Sequence, residues 1–147
     1  TTGDISTLHE GLISYWNIGL NTVSGNLANL PSTILTFINI GNNTVYGNIS
    51  DIPSISALLF YRCEGETTSS SYTGGVIFDS GIFLFNHLPT PGNGLNSTEI
   101  DNILIDLHSS GMTIGFVDIA GNNEPRTSAS DFAVSQMQAL GISITTN

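Results

Sequence analysis

Metal or nucleophile chemistry in this chain would have to start from three histidines, His9, His87 and His108, and one cysteine, Cys63. No two histidines stand at an H-x-x-x-H spacing, and a lone cysteine completes no zinc pattern. His9 falls between repeat units, and His87 is expected in a Pro-rich turn with Pro89-Thr90-Pro91-Gly92. His108, near the end of an expected helix, suits the helix dipole. There is no G-x-S-x-G elbow and no phosphate-cradling glycine loop. Asp101 and Asp106 lie five apart on that helix, so they share no face and are expected to be solvated. Arg62, Glu64 and Glu66 read as a loose surface cluster, with a small polar site as the alternative. Asp118, Asn122 and Glu124 offer the hard oxygens that calcium prefers, but Asn122 is needed by a backbone turn. The chain is therefore expected to have no catalytic residue, no metal site and no cofactor, and not to be an enzyme.

Composition points the same way. The 147 residues suit one domain with one core. Twelve acids face two arginines and no lysine, for a net charge of −10. A phosphate backbone needs clustered cations, so nucleic acid is excluded as a partner, and an anionic membrane surface with it. No apolar run approaches the roughly 20 residues of a membrane-spanning helix, so no membrane insertion is expected. Only 10% of residues are charged, and Asn, Ser, Thr and Gly abound, as in extracellular β-rich repeat proteins. The chain starts at Thr1, which suggests a processed product or a piece of something longer.

The elements that must position any site come from an internal repeat. Asn21-Thr22-Val23-Ser24-Gly25-Asn26-Leu27-Ala28-Asn29-Leu30-Pro31-Ser32 recurs 22 residues later as Asn43-Thr44-Val45-Tyr46-Gly47-Asn48-Ile49-Ser50-Asp51-Ile52-Pro53-Ser54. A spacing of apolar-x-x-apolar-x-apolar-x-x-Asn appears at Ile13/Trp16/Ile18/Asn21 and Leu35/Ile38/Ile40/Asn43. It returns at Ile114/Val117/Ile119/Asn122 and Ala139/Ile142/Ile144/Asn147. The apolar-x-apolar pair is a short strand with alternate side chains inward. The asparagine amide can satisfy backbone groups buried where the chain turns. The third unit fits Ala57/Phe60/Arg62/Gly65 or, shifted by one, Leu58/Tyr61/Cys63. A further strand is expected around Ile82–Phe85. Helices are expected from Ser97 or Thr98 to Gly111, and from the capping box Ser128-x-x-Asp131 to Gly141.

This pattern resembles the leucine-rich repeat, with Ile38, Ile40 and Asn43 as strand and turn residues. Val45-x-Gly47-x-Ile49 resembles the L-x-G-x-I segment of the plant-type subclass, which adds a second short strand. The phrases N-T-V-S-G-N, L-P-S and T-S-A-S-D…T-T-N are similar to repeat arrays in tail-fibre and surface proteins of Bacteroidota phages and their hosts. The resemblance implies an α/β solenoid with a parallel leucine-rich-repeat sheet on its concave face. It is expected to be one domain over residues 1–147, with short β coils over 1–96 and helix-bearing coils, helices on the convex side, over 97–147.

On such a concave face two outward columns are expected: Asn17, Asn39, Tyr61, Asp118 and Ser143, and beside them Tyr15, Phe37, Leu59, Ile82 and Phe116. An aromatic stripe next to Asn and Asp suits carbohydrate stacking with hydrogen bonds, or a protein contact. The expected function is non-catalytic adhesion or recognition of a cell-surface protein or glycan by an extracellular, cell-surface or virion protein. The alternative is a structural subunit. Asn147 followed by Thr1-Thr2-Gly3 nearly restores Asn-Thr-Val-Ser-Gly, so the chain is either part of a longer repeat protein or stacks head to tail into a filament.

Overall fold

The computed structural model describes residues 2–7, 15–17, 22–32, 36–41 and 44–147. Alternating stretches form strands β1 (Thr2–Asp4), β2 (Tyr15–Asn17), β3 (Thr22–Asn26), β4 (Phe37–Asn39), β5 (Thr44–Asn48), β6 (Phe60–Glu64), β7 (Ser70–Ser71) and β8 (Leu84–Leu88). Helix α1 (Ser97–Ser109), β9 (Phe116–Asp118), α2 (Asp131–Ala139) and β10 (Ser143–Thr145) complete the chain. Every strand pair is parallel. One sheet is ordered β1-β3-β5-β7, the other β2-β4-β6-β8-β9-β10.

The layering corrects the expected leucine-rich-repeat solenoid built on one concave sheet. The molecule is a small α/β protein, with two parallel sheets and two α-helices among the described residues. The reason is local. The Thr-Val-x-Gly-Asn stretches, Thr22–Asn26 and Thr44–Asn48, are five-residue strands that pair with each other and form a sheet of their own. Parallel neighbours need crossovers, and those leaving the first sheet begin as 3-10 turns over Ile5–Thr7, Leu27–Asn29 and Ile49–Asp51, with a further turn, Ile55–Ala57, before β6. Asn26 and Asn48 start two of them by accepting from the amides of Ala28 (2.9 Å) and Ser50 (3.0 Å). Each turn buries its first residue, Leu27 or Ile49. Gly47 is required here: its φ is +111°, and a β-carbon would run into the Asn26 side chain.

Inward side chains of both sheets and of α1 and α2 form one core cluster, with Ile38, Val45, Tyr61, Phe85, Leu104 and Met137 among its members. Helix α1 is capped by Asn96, which exchanges hydrogen bonds with Glu99 in a full capping box. That cap lies just before both expected candidates, Ser97 and Thr98. The expected Ser128–Asp131 box does not form. Thr127 caps a 3-10 turn over Ser128–Ser130 that runs into α2. Asp101 and Asp106, expected in solvent, are buried. Asp101 accepts from the Thr127 amide (3.0 Å) and the Ser130 hydroxyl (2.6 Å), tying α2's entry to α1. Asp106 accepts from the Tyr72 hydroxyl (2.7 Å) and the Val76 amide (3.1 Å). These aspartates are structural because burial requires every lone pair to find a donor. No described helix is long and apolar enough to cross a membrane.

Candidate functional site

Two regions combine the residue types and geometry a site needs: the outer face of the six-stranded sheet, and a polar island beneath it.

The sheet register defines the outer face. Phe37, Phe60, Leu84, Phe116 and Ser143 follow one another across neighbouring strands, and Asn39, Arg62, Asn86, Asp118 and Thr145 run parallel two residues on. Between them runs the column that turns inward, including Ile38, Tyr61, Phe85 and Val117. Phe37 and Phe60 stack face to face, centroids 4.8 Å apart, and Phe83 tilts against both at 5.7 and 5.9 Å. Phe116 is 61% exposed. Beside it an open hollow of about 200 Å³ is walled by Leu84, Asn86, Phe116, Asp118, Ser143 and Thr145.

Several expected positions move. Tyr61, expected to point outward, is fully buried, stacked on Phe85 at 4.8 Å. The third unit therefore follows the shifted register, Leu58/Tyr61/Cys63, and Phe60 and Arg62 take the outward places assigned to Leu59 and Tyr61. Leu59 is half-buried just before β6, and Ile82 is buried. Ser143 pairs with Phe116 and so joins the aromatic column, not the polar one. Phe37, Asn39, Phe116 and Asp118 keep their expected columns. Tyr15 and Asn17 hold matching backbone positions in β2. Of the turn asparagines, Asn21 and Asn43 lie outside the described residues, as does His9. Asn122 donates to the Pro89 carbonyl (2.8 Å), and Asn147 to those of Gly121 (2.9 Å) and Asn123 (2.6 Å). The imagined calcium ligands are engaged separately: Asp118 accepts from the Ala120 amide and Glu124 from Ser97.

The polar island lies outside the expected site residues. His87 sits mid-strand in β8, directly opposite Cys63 of β6. Both point inward, where the flanking strands place Ile40 and Ile119. Glu66 falls 23 residues after Asn43, matching the Phe37–Phe60 offset, so a carboxylate occupies the turn-asparagine position. It is buried, not part of the surface cluster; only Arg62 and Glu64 pair outside, at 2.8 Å. Ligand atoms of Cys63, Glu66 and His87 all lie within 4.8 Å of one another. The Tyr61 hydroxyl meets His87 Nδ1 at 3.4 Å, and the Asn123 amide donates to the His87 carbonyl (2.7 Å). Neither Glu66 carboxylate oxygen nor His87 Nε2 has a hydrogen-bond partner among the described residues.

Burial shifts every titration in the island. It pushes the Glu66 carboxyl up, and with help from nearby Glu66 it pushes the Cys63 thiol up. Burial lowers His87 to about 4 from its usual 6.5. In metal-free protein, the native state resists protonation that the unfolded chain accepts from pH 6.5 downward. His87 thus contributes about 3 kcal/mol above pH 6.5, lost as pH falls toward 4. Glu66 acts in the opposite sense, favouring the fold at low pH and losing that contribution as pH rises through its elevated pKa. Denaturant unfolding of the wild type and His87→Phe at pH 4 and 7 separates the two. The stability difference between the proteins should change by about 3 kcal/mol; an unchanged difference would show that His87 is not held neutral.

Comparison with protein-family models, with curated proteins and with solved structures finds no match to this chain.

Proposed function

We propose that the outer face of the six-stranded sheet is a non-catalytic recognition surface for saccharide, on a protein that works outside the cell as an adhesin or fibre component. The observation that carries this is the aromatic column at Phe37, Phe60 and Phe116 running beside the polar column Asn39, Arg62, Asn86 and Asp118. Sugar rings stack their C–H faces on aromatics and exchange hydrogen bonds with amides and carboxylates. The hollow beside Phe116 has room for part of one sugar unit. The shortage of cations argues against phosphate-bearing ligands.

A glycan array probed with the chain should return a defined set of saccharides. The double variant Phe60→Ala/Phe116→Ala should bind them about 10- to 100-fold more weakly, since each ring contact contributes roughly 0.5–1.5 kcal/mol. Wild-type affinity in the double variant, or no saccharide bound at all, would sink the proposal; the second result would turn attention to a protein ligand.

One observation favours self-association as a second reading. Strand β10 ends the order of the six-stranded sheet, and beside it Phe132 of α2 and Leu140, just past the helix, are exposed. Sedimentation that rises with protein concentration in the wild type, but not in Phe132→Glu/Leu140→Glu, would support stacking of copies there.

A further inference from the structure

We infer that Cys63, Glu66 and His87 form a buried site for a single divalent transition-metal cation of the zinc type. The argument starts from what a metal-free island leaves undone. A buried carboxyl needs donors for its oxygens, and a buried imidazole needs a partner for each nitrogen. Here both Glu66 oxygens and His87 Nε2 are buried and unpartnered among the described residues. A cation supplies at one point what all three atoms lack.

The donor set fits zinc. Thiolate, imidazole and carboxylate are its three protein ligand types, and three protein ligands with a water in the fourth place is a common arrangement. Thiolate disfavours calcium and magnesium, which take oxygen only. A tetrahedral zinc with bonds of about 2.0–2.3 Å keeps its ligands roughly 3.3–3.8 Å apart. The three atoms already lie within 4.8 Å, so small side-chain rotations close the set. The support around the ligands is also in place. Tyr61 holds Nδ1 of the imidazole and leaves Nε2 for the metal, while Asn123 fixes the His87 backbone.

Charge balance explains how an ion could be stable here. On binding, the Cys63 thiol gives up its proton to solvent, and so does Glu66 if its carboxyl is protonated. One thiolate, one carboxylate and one neutral imidazole then offset the two positive charges, leaving an uncharged centre in an apolar core. The three residues come from β6, β8 and the turn between β6 and β7, so the metal would link successive passes of the chain.

The test uses the whole chain, stripped with chelator and refolded from denaturant with cobalt(II) or zinc(II). Cobalt should bind at one equivalent with a thiolate-to-metal charge-transfer band and intense tetrahedral ligand-field bands, and zinc should displace it. Cys63→Ser should abolish the charge-transfer band, and Glu66→Gln or His87→Gln should weaken binding at least tenfold. Because these variants sit in the core and could fail to fold, zinc X-ray absorption on the wild type tests the site independently. One sulfur neighbour near about 2.3 Å with nitrogen or oxygen at about 2.0–2.1 Å supports the site. A shell without sulfur, or no stoichiometric metal after refolding, overturns it.

Discussion

Tyr61→Ala is expected to destabilise the protein by about 3–5 kcal/mol, whereas Arg62→Ala, one residue away, should stay within about 0.5 kcal/mol. The contrast follows from the pleat. Tyr61 is fully buried, stacks on Phe85 and meets His87 through its hydroxyl. Removing the ring leaves a cavity that the parallel strands on either side cannot collapse into, because their ladders fix the spacing. Arg62 lies on the opposite face, where its pair with Glu64 is exposed and contributes little. Urea unfolding of both variants decides the matter. Equal losses, or a larger loss for Arg62→Ala, would mean the third unit runs in the other register.

Gly115→Ala should be comparably severe, at about 3–5 kcal/mol. Gly115 has φ +102°, and a β-carbon there would overlap the carbonyl group of Phe83. That carbonyl accepts from the Phe116 amide at 2.9 Å, and the Gly115 carbonyl accepts from Ser143 at 3.1 Å. Alanine therefore incurs left-handed backbone strain of about 1–2 kcal/mol, a steric clash of about 1–3 kcal/mol, and loosened hydrogen bonds into both β8 and β10. For a chain of this size that corresponds to a melting temperature lower by roughly 10 °C or more. Thermal unfolding followed by circular dichroism reads this directly. A variant that melts with the wild type would show that β8 and β9 do not approach as closely as described.

The inward strand residues were legible where aliphatic side chains alternate with polar ones. Ile38, Ile40, Val117 and Ile119 are buried as their spacing predicts. The third unit was ambiguous because Phe60, Tyr61, Arg62 and Cys63 satisfy either phase, and hydropathy alone does not choose between a tyrosine and a phenylalanine. What decides is the neighbouring strand, since Phe60 stacks on Phe37 and Tyr61 on Phe85. The short strand expected around Val45 and Gly47 is present, but only the pairing of Thr22–Asn26 with Thr44–Asn48 shows that such strands make a sheet of their own. The polar island was hidden for the same reason as the register. Only after Cys63 and His87 are placed opposite each other does Glu66 fall beside them. A sequence signal does exist: thiol, imidazole and carboxylate replace isoleucine, isoleucine and asparagine in adjacent repeats. Reading it requires the right phase first.

The parallel register also sets rules for how the chain can change length. Tyr15 to Phe37 spans 22 residues, Phe60 to Leu84 spans 24 and Leu84 to Phe116 spans 32, yet each pair meets in register. Extra residues are absorbed in the return segments, where lengthening adds only a slowly growing closure entropy. A single residue added inside β6 or β8 would instead turn Tyr61, Phe85 and their neighbours onto the wrong face. Peptides grafted around Pro91 and Gly92, between β8 and α1, should therefore be accommodated while the strands keep their pairing. The return segments are where new loops could be acquired without rebuilding the core.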